Sequence, residues 1–232
     1  MNTMTKTLAA ALSATLLATA CGPKESPKLI ALSFDDGPNL VTTPLVLDVL
    51  AENGVRASFF VEGQYINDTT AAMMLRAADL GCDIENHSWS HQPMSTLSDE
   101  EINTEIYNTS ALVEKYVGRA PRFFRPPYID HNKLMHSLIG LTFICGQGCD
   151  DWVPEVTAQQ RADSVIAHAA DGQIVLLHDF EGNDNTVEAL KTIIPELKAR
   201  GFEFVTVPEL FEAKGVALEP NNGKIYTNVL TD

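Results

Sequence analysis

The stretch Leu29-Ile30-Ala31-Leu32-Ser33-Phe34-Asp35-Asp36-Gly37-Pro38 decides how this chain is read. Its apolar start is a buried strand and its Gly-Pro end a turn. Between them stand two adjacent carboxylates. A carboxylate at the exit of an apolar strand is tolerable only beside a cation, an arginine or a shared proton. The chain offers the first two. His87-Ser88-Trp89-Ser90-His91 has metal-ligand spacing, and Arg125-Pro126-Pro127-Tyr128 carries a guanidinium on a stiff segment. A metal-assisted hydrolase is the first expectation.

Working outward, short apolar runs alternate with helical patterns. Strands are expected at 28–34, 57–61, 82–86, 122–125, 141–145, 173–178 and 203–207. Thr43 before Pro44 reads as an N-cap, and Asn53-Gly54 closes that helix. Ser98-Asp99-Glu100-Glu101 and Thr157-Ala158-Gln159-Gln160 read as capping boxes. Asp184 opens a helix ending at Arg200-Gly201, in which Pro195 is expected to cause a kink or break. Strands alternating with helices imply parallel β/α units. Seven of them in one domain give an α/β fold, a closed or nearly closed barrel. In such barrels the chemistry sits on loops after the strands. Asp35-Asp36, Phe60 to Glu62, His87 to His91, Arg125 to Tyr128, Asp150 to Trp152 and His178-Asp179 all fall there.

The 232 residues are 45% apolar, enough for a full core. A net charge of -15 argues against nucleic acid, whose binders carry basic patches. Residues 1–21 read as an export signal: one lysine, then a small and apolar run too short to span a bilayer. Ala18-Thr19-Ala20 reads as an A-x-A cleavage site. Cys21 after it resembles the lipidated cysteine of a bacterial lipoprotein, with Ala18 where leucine is more usual. Lipid anchoring at Cys21 and plain secretion both stay open, and either places the protein outside the cytoplasm, in the periplasm or at the cell surface. The anchor is the only expected membrane contact. Cys145 and Cys149 could bridge in an exported compartment or stay small buried thiols. The folded domain is expected over 28–214, with 215–232 a polar, loosely packed C-terminal tail.

His87 and His91 are four apart, so on one helical turn both imidazoles would reach one ion. Asp36 adds an anionic third ligand, leaving open positions as catalytic sites do. Asp35 is then free to act as a base, oriented by Arg125 through a charge-assisted bond. Tyr128 is either a packed aromatic or a backbone N–H donor to an oxyanion, since Pro126 and Pro127 have no N–H. His178, at the end of a buried strand, is the candidate acid, with Asp151 to hold it and raise its pKa. Trp152 and Trp89 suit sugar stacking or core filling. His131, His136 and His168 read as surface or packing residues. A glycosidase acid pair is not expected of Asp35 and Asp36, because successive strand side chains diverge whereas such pairs face each other across a bond at about 5–9 Å.

The pattern resembles the polysaccharide deacetylase family, the NodB-homology esterases of carbohydrate esterase family 4, over roughly Leu29 to Lys214. Ser33 to Gly37 resembles its T-F-D-D-G motif, implying Asp35 as base and Asp36 as metal ligand. His87 to His91 resembles H-[ST]-x-x-H, implying two histidine ligands. Arg125 to Tyr128 resembles R-x-P-Y, implying the base-holding arginine and the oxyanion donor. Asp151-Trp152 keep half of D-x-x-D-W, with Gly148 where the first aspartate would stand. Leu176 to His178 resembles L-x-H, implying an acetyl-pocket leucine and the acid. The family implies a distorted (β/α)7 barrel and a divalent metal, zinc first, with cobalt or nickel as alternatives. It also implies hydrolytic deacetylation of an acetylated polysaccharide or oligosaccharide. Tyr128 to Trp152 is similar to acetylxylan esterases of this family. O-acetyl groups on xylan and N-acetyl groups on chitin or peptidoglycan both remain open, and a catalytically inactive carbohydrate-binding protein on the same fold is the alternative.

Overall fold

The computed structural model describes residues 27–232, so the export signal and Cys21 lie outside the described residues. Seven strands form one sheet: β1 (Lys28–Gly37), β2 (Ser58–Val61), β3 (Asp83–Asn86), β4 (Phe123–Phe124), β5 (Thr142–Phe143), β6 (Gln173–His178) and β7 (Phe202–Phe204). Their order is β5-β4-β3-β2-β1-β6, with β7 also against β1, and every strand pair is parallel. The seven helices are α1 (Thr42–Asn53), α2 (Ala71–Asp79), α3 (Asp99–Val117), α4 (Lys133–Leu138), α5 (Ala158–His168), α6 (Asp184–Ala199) and α7 (Val207–Ala213). None of the described helices is long and apolar enough to cross a membrane. The arrangement is the expected distorted (β/α)7 barrel.

Strand periodicity sorts the side chains. Ile30, Leu32, Phe34, Val175 and Leu177 point outward and pack with Leu47, Leu50, Leu190 and Ile193 of the helical layer. Ala31, Phe60, Phe123 and Ile174 point inward and, with Leu210 and Phe211, fill the barrel below. Continuing up the same inward rows come Ser33 and Asp35, Glu62, His87, Arg125, and Leu176 and His178. Two-residue alternation therefore turns an apolar floor into a polar mouth.

The barrel is closed by a segment expected to be loose. Beyond β5, Gln147 reaches β6 through its N–H to the Ile174 carbonyl (2.8 Å) and its carbonyl from the Leu176 N–H (3.0 Å). Lower down, Tyr226 exchanges backbone bonds with Phe143 and Cys145, and the Ile174 N–H donates to Thr227. Tyr226, Asn228 and Val229 are buried. The 215–232 tail is thus packed at its end, because Tyr226 stacks edge-on against Phe211 and Val229 joins the same core.

Other local expectations are corrected. Thr43 does not cap α1. Asn39 does, accepting from the N–H groups of Val41, Thr42 and Thr43. Helix α6 runs through Pro195, which lies on its exposed side, where the carbonyl it leaves free can meet water. The last strand ends at Phe204, because Thr206 and Glu209 form a capping box that starts α7. Both expected boxes, at Ser98 and Thr157, are present. Cys82, Cys145 and Cys149 are free thiols.

Candidate active site

At the mouth, β1 carries a bulge: Asp35 pairs with Phe60 but Gly37 with Val61, leaving Asp36 as the extra residue at φ 73°. A bulge re-aims a side chain. Here it overturns the expectation that the two neighbouring carboxylates diverge. His87 Nε2 lies 3.7 Å from Asp35 Oδ2 and 3.3 Å from Asp36 Oδ1. Gly37 follows as glycine for a steric reason, since a Cβ there would stand 2.7 Å from the Asp179 carboxylate.

His87 to His91 is a loop, not the helical turn expected, with Ser88 and His91 at positive φ. The imidazoles converge all the same, their centroids 4.9 Å apart. Glu105 of α3 holds this loop, accepting from the N–H groups of Trp89 and Ser90 and from the Ser90 hydroxyl. Sequence reasoning missed Glu105. Its signal was a carboxylate on the Ile102–Glu105–Thr109–Val113 face, the buried side of α3.

The residues fit a metal ion. Asp36, His87 and His91 bring one ligand atom each within 4.8 Å of one another. The Arg125 carbonyl can only accept, so His87 Nδ1 donates to it (2.6 Å) and leaves the Nε2 lone pair toward Asp36. Asp36 Oδ1, 3.3 and 3.5 Å from the two Nε2 atoms, is buried with no hydrogen-bond donor among the described residues. Only a positive charge between them satisfies all three. The protonation tendencies agree. Burial alone would raise Asp36, but the neighbouring imidazoles, His87 first and then His178 and His91, bring it down to about 2. His87 rises because Asp35 and Asp36 outweigh its burial. His91 falls, through burial and the charge of His87.

Asp35 is gripped from the other side. Arg125, fully buried, donates Nη1 to Asp35 Oδ1 (2.5 Å) and Nη2 to Ser33 Oγ (2.7 Å), and its guanidinium lies over the Phe60 ring. The Ser33 hydroxyl in turn donates a hydrogen bond to the Val175 carbonyl. Gly146 lets the guanidinium in: a Cβ there would meet Arg125 Nη2 at 3.1 Å.

Across the cleft, buried Asp151 accepts from the His178 N–H and from Nδ1 (both 2.8 Å), and from Thr186. Burial disfavours the imidazolium, yet Asp151 first, then Asp35 and Asp36, raise His178 to about 9. Two further acids crowd the site. Glu62 is pushed up to about 7 by burial, with Asp36 and Asp35 adding and a bond from Gln64 opposing. Asp179 rises to about 7 through burial, then Asp36 and Asp35, against a bond from Thr43.

Asp35, Asp36, His87, His91, Tyr128, Trp152, Leu176 and His178 all line one cleft of about 630 Å³. Tyr128 is exposed at φ 57°, its ring edge-on to His91, so it is not a packed aromatic. Trp152 is 50% exposed against the His178 ring rather than core filling. Trp89 instead packs over Gly63. Gly148 is on the cleft wall, and a side chain there would meet only Trp152, at an ordinary 3.5 Å. His131 and His136 are elsewhere, hydrogen-bonded to each other and packed on Phe143.

Comparison with known proteins agrees with this geometry. The family model for polysaccharide deacetylases matches residues 22–144. A bifunctional xylanase/deacetylase of Pseudobutyrivibrio xylanivorans is 46% identical over 88% of this chain and 34% of its own length. A peptidoglycan-N-acetylglucosamine deacetylase of Listeria monocytogenes is 37% identical over 81% of this chain and 40% of its own. The chain thus spans well under half the length of these two curated relatives. The structure of a family 4 acetyl xylan esterase from Clostridium thermocellum, in complex with a cobalt ion, superposes with a TM-score of 0.85. It is 46% identical and covers 87% of this chain and 99% of that one.

Proposed function

Since the chain belongs to the polysaccharide deacetylase family, we propose that it hydrolyses acetyl groups from a neutral polysaccharide, acetylxylan first. The observation that carries the reading is the buried Asp36 Oδ1, donorless between two imidazole nitrogens, with Asp35 held beside it by Arg125. A divalent cation held by Asp36, His87 and His91, with zinc the first choice and cobalt or nickel as alternatives, would polarise the acetyl carbonyl and acidify water. Asp35 accepts the proton of the attacking water at Oδ2, because Arg125 occupies Oδ1. The Tyr128 N–H donates to the developing oxyanion. Leu176 and Trp152 bound the space for the acetyl group and its sugar. His178 delivers a proton from Nε2 to the departing sugar oxygen, while Asp151 fixes Nδ1–H and so the tautomer.

Two features support a neutral glycan and xylan. Among the described residues, the cleft lining has no lysine or arginine to meet the carboxylates of a wall polymer. The relatives at 46% identity are named for xylan. Export, with or without a lipid at Cys21, would put the enzyme where such polymers are.

The test is acetate release by protein stripped of metal and reloaded with zinc or cobalt, on acetylxylan and on N-acetylglucosamine oligomers in parallel. Metal-dependent release from acetylxylan is expected. Release from the amino-sugar oligomers alone would move the substrate to chitin or cell wall. No release from either by metal-loaded protein would replace the reading with that of a binding protein.

A further inference from the structure

We propose that the protein has a second metal site, away from the mouth, in which His131 Nδ1 and His136 Nε2 jointly hold a transition-metal ion of the zinc, nickel or copper class. This goes beyond the deacetylase reading, which uses neither residue. The two nitrogens lie 3.1 Å apart, and both rings line a cleft of about 470 Å³. The cleft runs between the start of α4, the residues before it and the 221–223 turn of the C-terminal segment. None of its described lining residues belongs to the catalytic cleft.

Three observations point to an ion. The first is spacing. Imidazole nitrogens on one tetrahedral zinc stand about 2.0–2.1 Å from it, which sets them roughly 3.3 Å apart. The pair already has nearly that separation. The hydrogen bond between the rings needs one proton in the gap. When the donor ring carries that proton on its other nitrogen, both lone pairs face the gap and both rings remain neutral, the form that binds metal. The second is orientation. His136 is buried and stacks on Phe143 with centroids 3.9 Å apart, and His131 meets the same ring at 6.3 Å. Asn221 ties the third wall to α4, its amide donating to the carbonyls of His136 and Ile139. Rings and walls set before binding reduce the entropy lost on capture.

The third observation is the lining, which names the class of ion. Ser137, Asn221 and Asn222 bring neutral polar groups to the cleft, and among the described residues no carboxylate lines it. Calcium and magnesium bind through carboxylates and other oxygens. Imidazole pairs suit zinc, nickel and copper. Lys133 also lines the cleft, but its side chain is exposed and can turn its ammonium to water. The net charge of -15 favours a cation over an anion as occupant. Two protein ligands leave the other positions to water, so this ion is held more weakly than one bound by three.

The test is equilibrium dialysis of the parent and His131→Asn against excess zinc, with zinc per chain read by elemental analysis. His131→Asn should hold one zinc fewer than the parent. Equal zinc in the two proteins would overturn the site. The difference is read whether or not the mouth binds metal or the protein releases acetate, so it fails separately from the deacetylase reading. Thermal midpoints of the two metal-free proteins should agree, as expected if the substitution removes a ligand and leaves the fold intact. Should His131→Asn fail to fold, the imidazole resonances of the parent decide without any substitution. Excess zinc should shift those of His131 and His136, and unchanged positions would overturn the site.

Discussion

Two pairs of acids, buried or nearly so, flank β2. Asp35 and Asp36 end β1 at the mouth, and Asp83 and Glu85 sit lower, on β3. All are taken from water by the same barrel, yet they are stabilised differently. At the mouth the partners are interior and rigid: Arg125, fully buried on Asp35, and two imidazoles around Asp36. Lower down, Asp83 pairs with Arg119 and Arg122, whose side chains are about half exposed. Glu85 accepts from the N–H groups of Arg122 and Phe123, but burial and the charge of Asp83 raise it well above the usual carboxylate range. Burial beside a second acid thus leaves Glu85 more reluctant to ionise than a free carboxyl, with no opening to a cleft. What makes the Asp35–Asp36 pair chemical is its partner set and its opening to a cleft.

Breaking the mouth should have the largest effect. Asp35→Asn should lower deacetylation by about 10²–10⁴-fold while metal content, read by elemental analysis, stays unchanged. Retained turnover would remove Asp35 from the role of base. Asp151→Asn should act next, through pH. His178 loses the partner that lifts it to about 9, so its pKa falls toward 6.5. The alkaline limb of the kcat/KM profile should then move to lower pH, and a limb that stays put would detach His178 from the proton transfer. The smallest effect belongs to the lower pair. Because folding raises Glu85, the unfolded chain releases that proton first as pH climbs past 4.5. The acid therefore contributes its full stability below that pH, and the contribution is lost as pH rises toward the folded value. Glu85→Gln should gain on the parent in thermal midpoint as pH rises above 4.5, by a few degrees, with catalysis unaltered. A gap independent of pH would show that Glu85 is ionised in the fold.

All seven strands were legible because apolar runs bounded by turns leave little choice, and the inward rows end in the residues that the motifs single out. Less legible was how the side chains come together. The spacing of His87 and His91 suggests a helix, but loop residues at positive φ, braced by Glu105, achieve the convergence. Adjacent carboxylates alternate in a regular strand, and only the bulge at Asp36 brings them to one side. Thr43 was a plausible cap, yet its hydroxyl donates to Asp179, a partner 136 residues away. Tyr226 looked like part of a polar tail because a single aromatic among Asn, Gly and Lys has no periodicity. Each miss involves a contact distant in sequence or a backbone conformation that residue types encode weakly.

The inner row of β1 has a further consequence, for the order of assembly. Ser33, which receives Arg125, gives its own hydrogen bond to Val175, 142 residues later, and the first strand finds β6 only then. Until that pairing, β1 has one flank bare, and closing so long a loop is slow. A fragment ending before β6 would therefore expose a sticky apolar edge instead of folding as a smaller enzyme. The order of assembly is thus tied to the β1–β6 pairing, which runs from Ile30 to Asp35 and brings His178 beside Asp35.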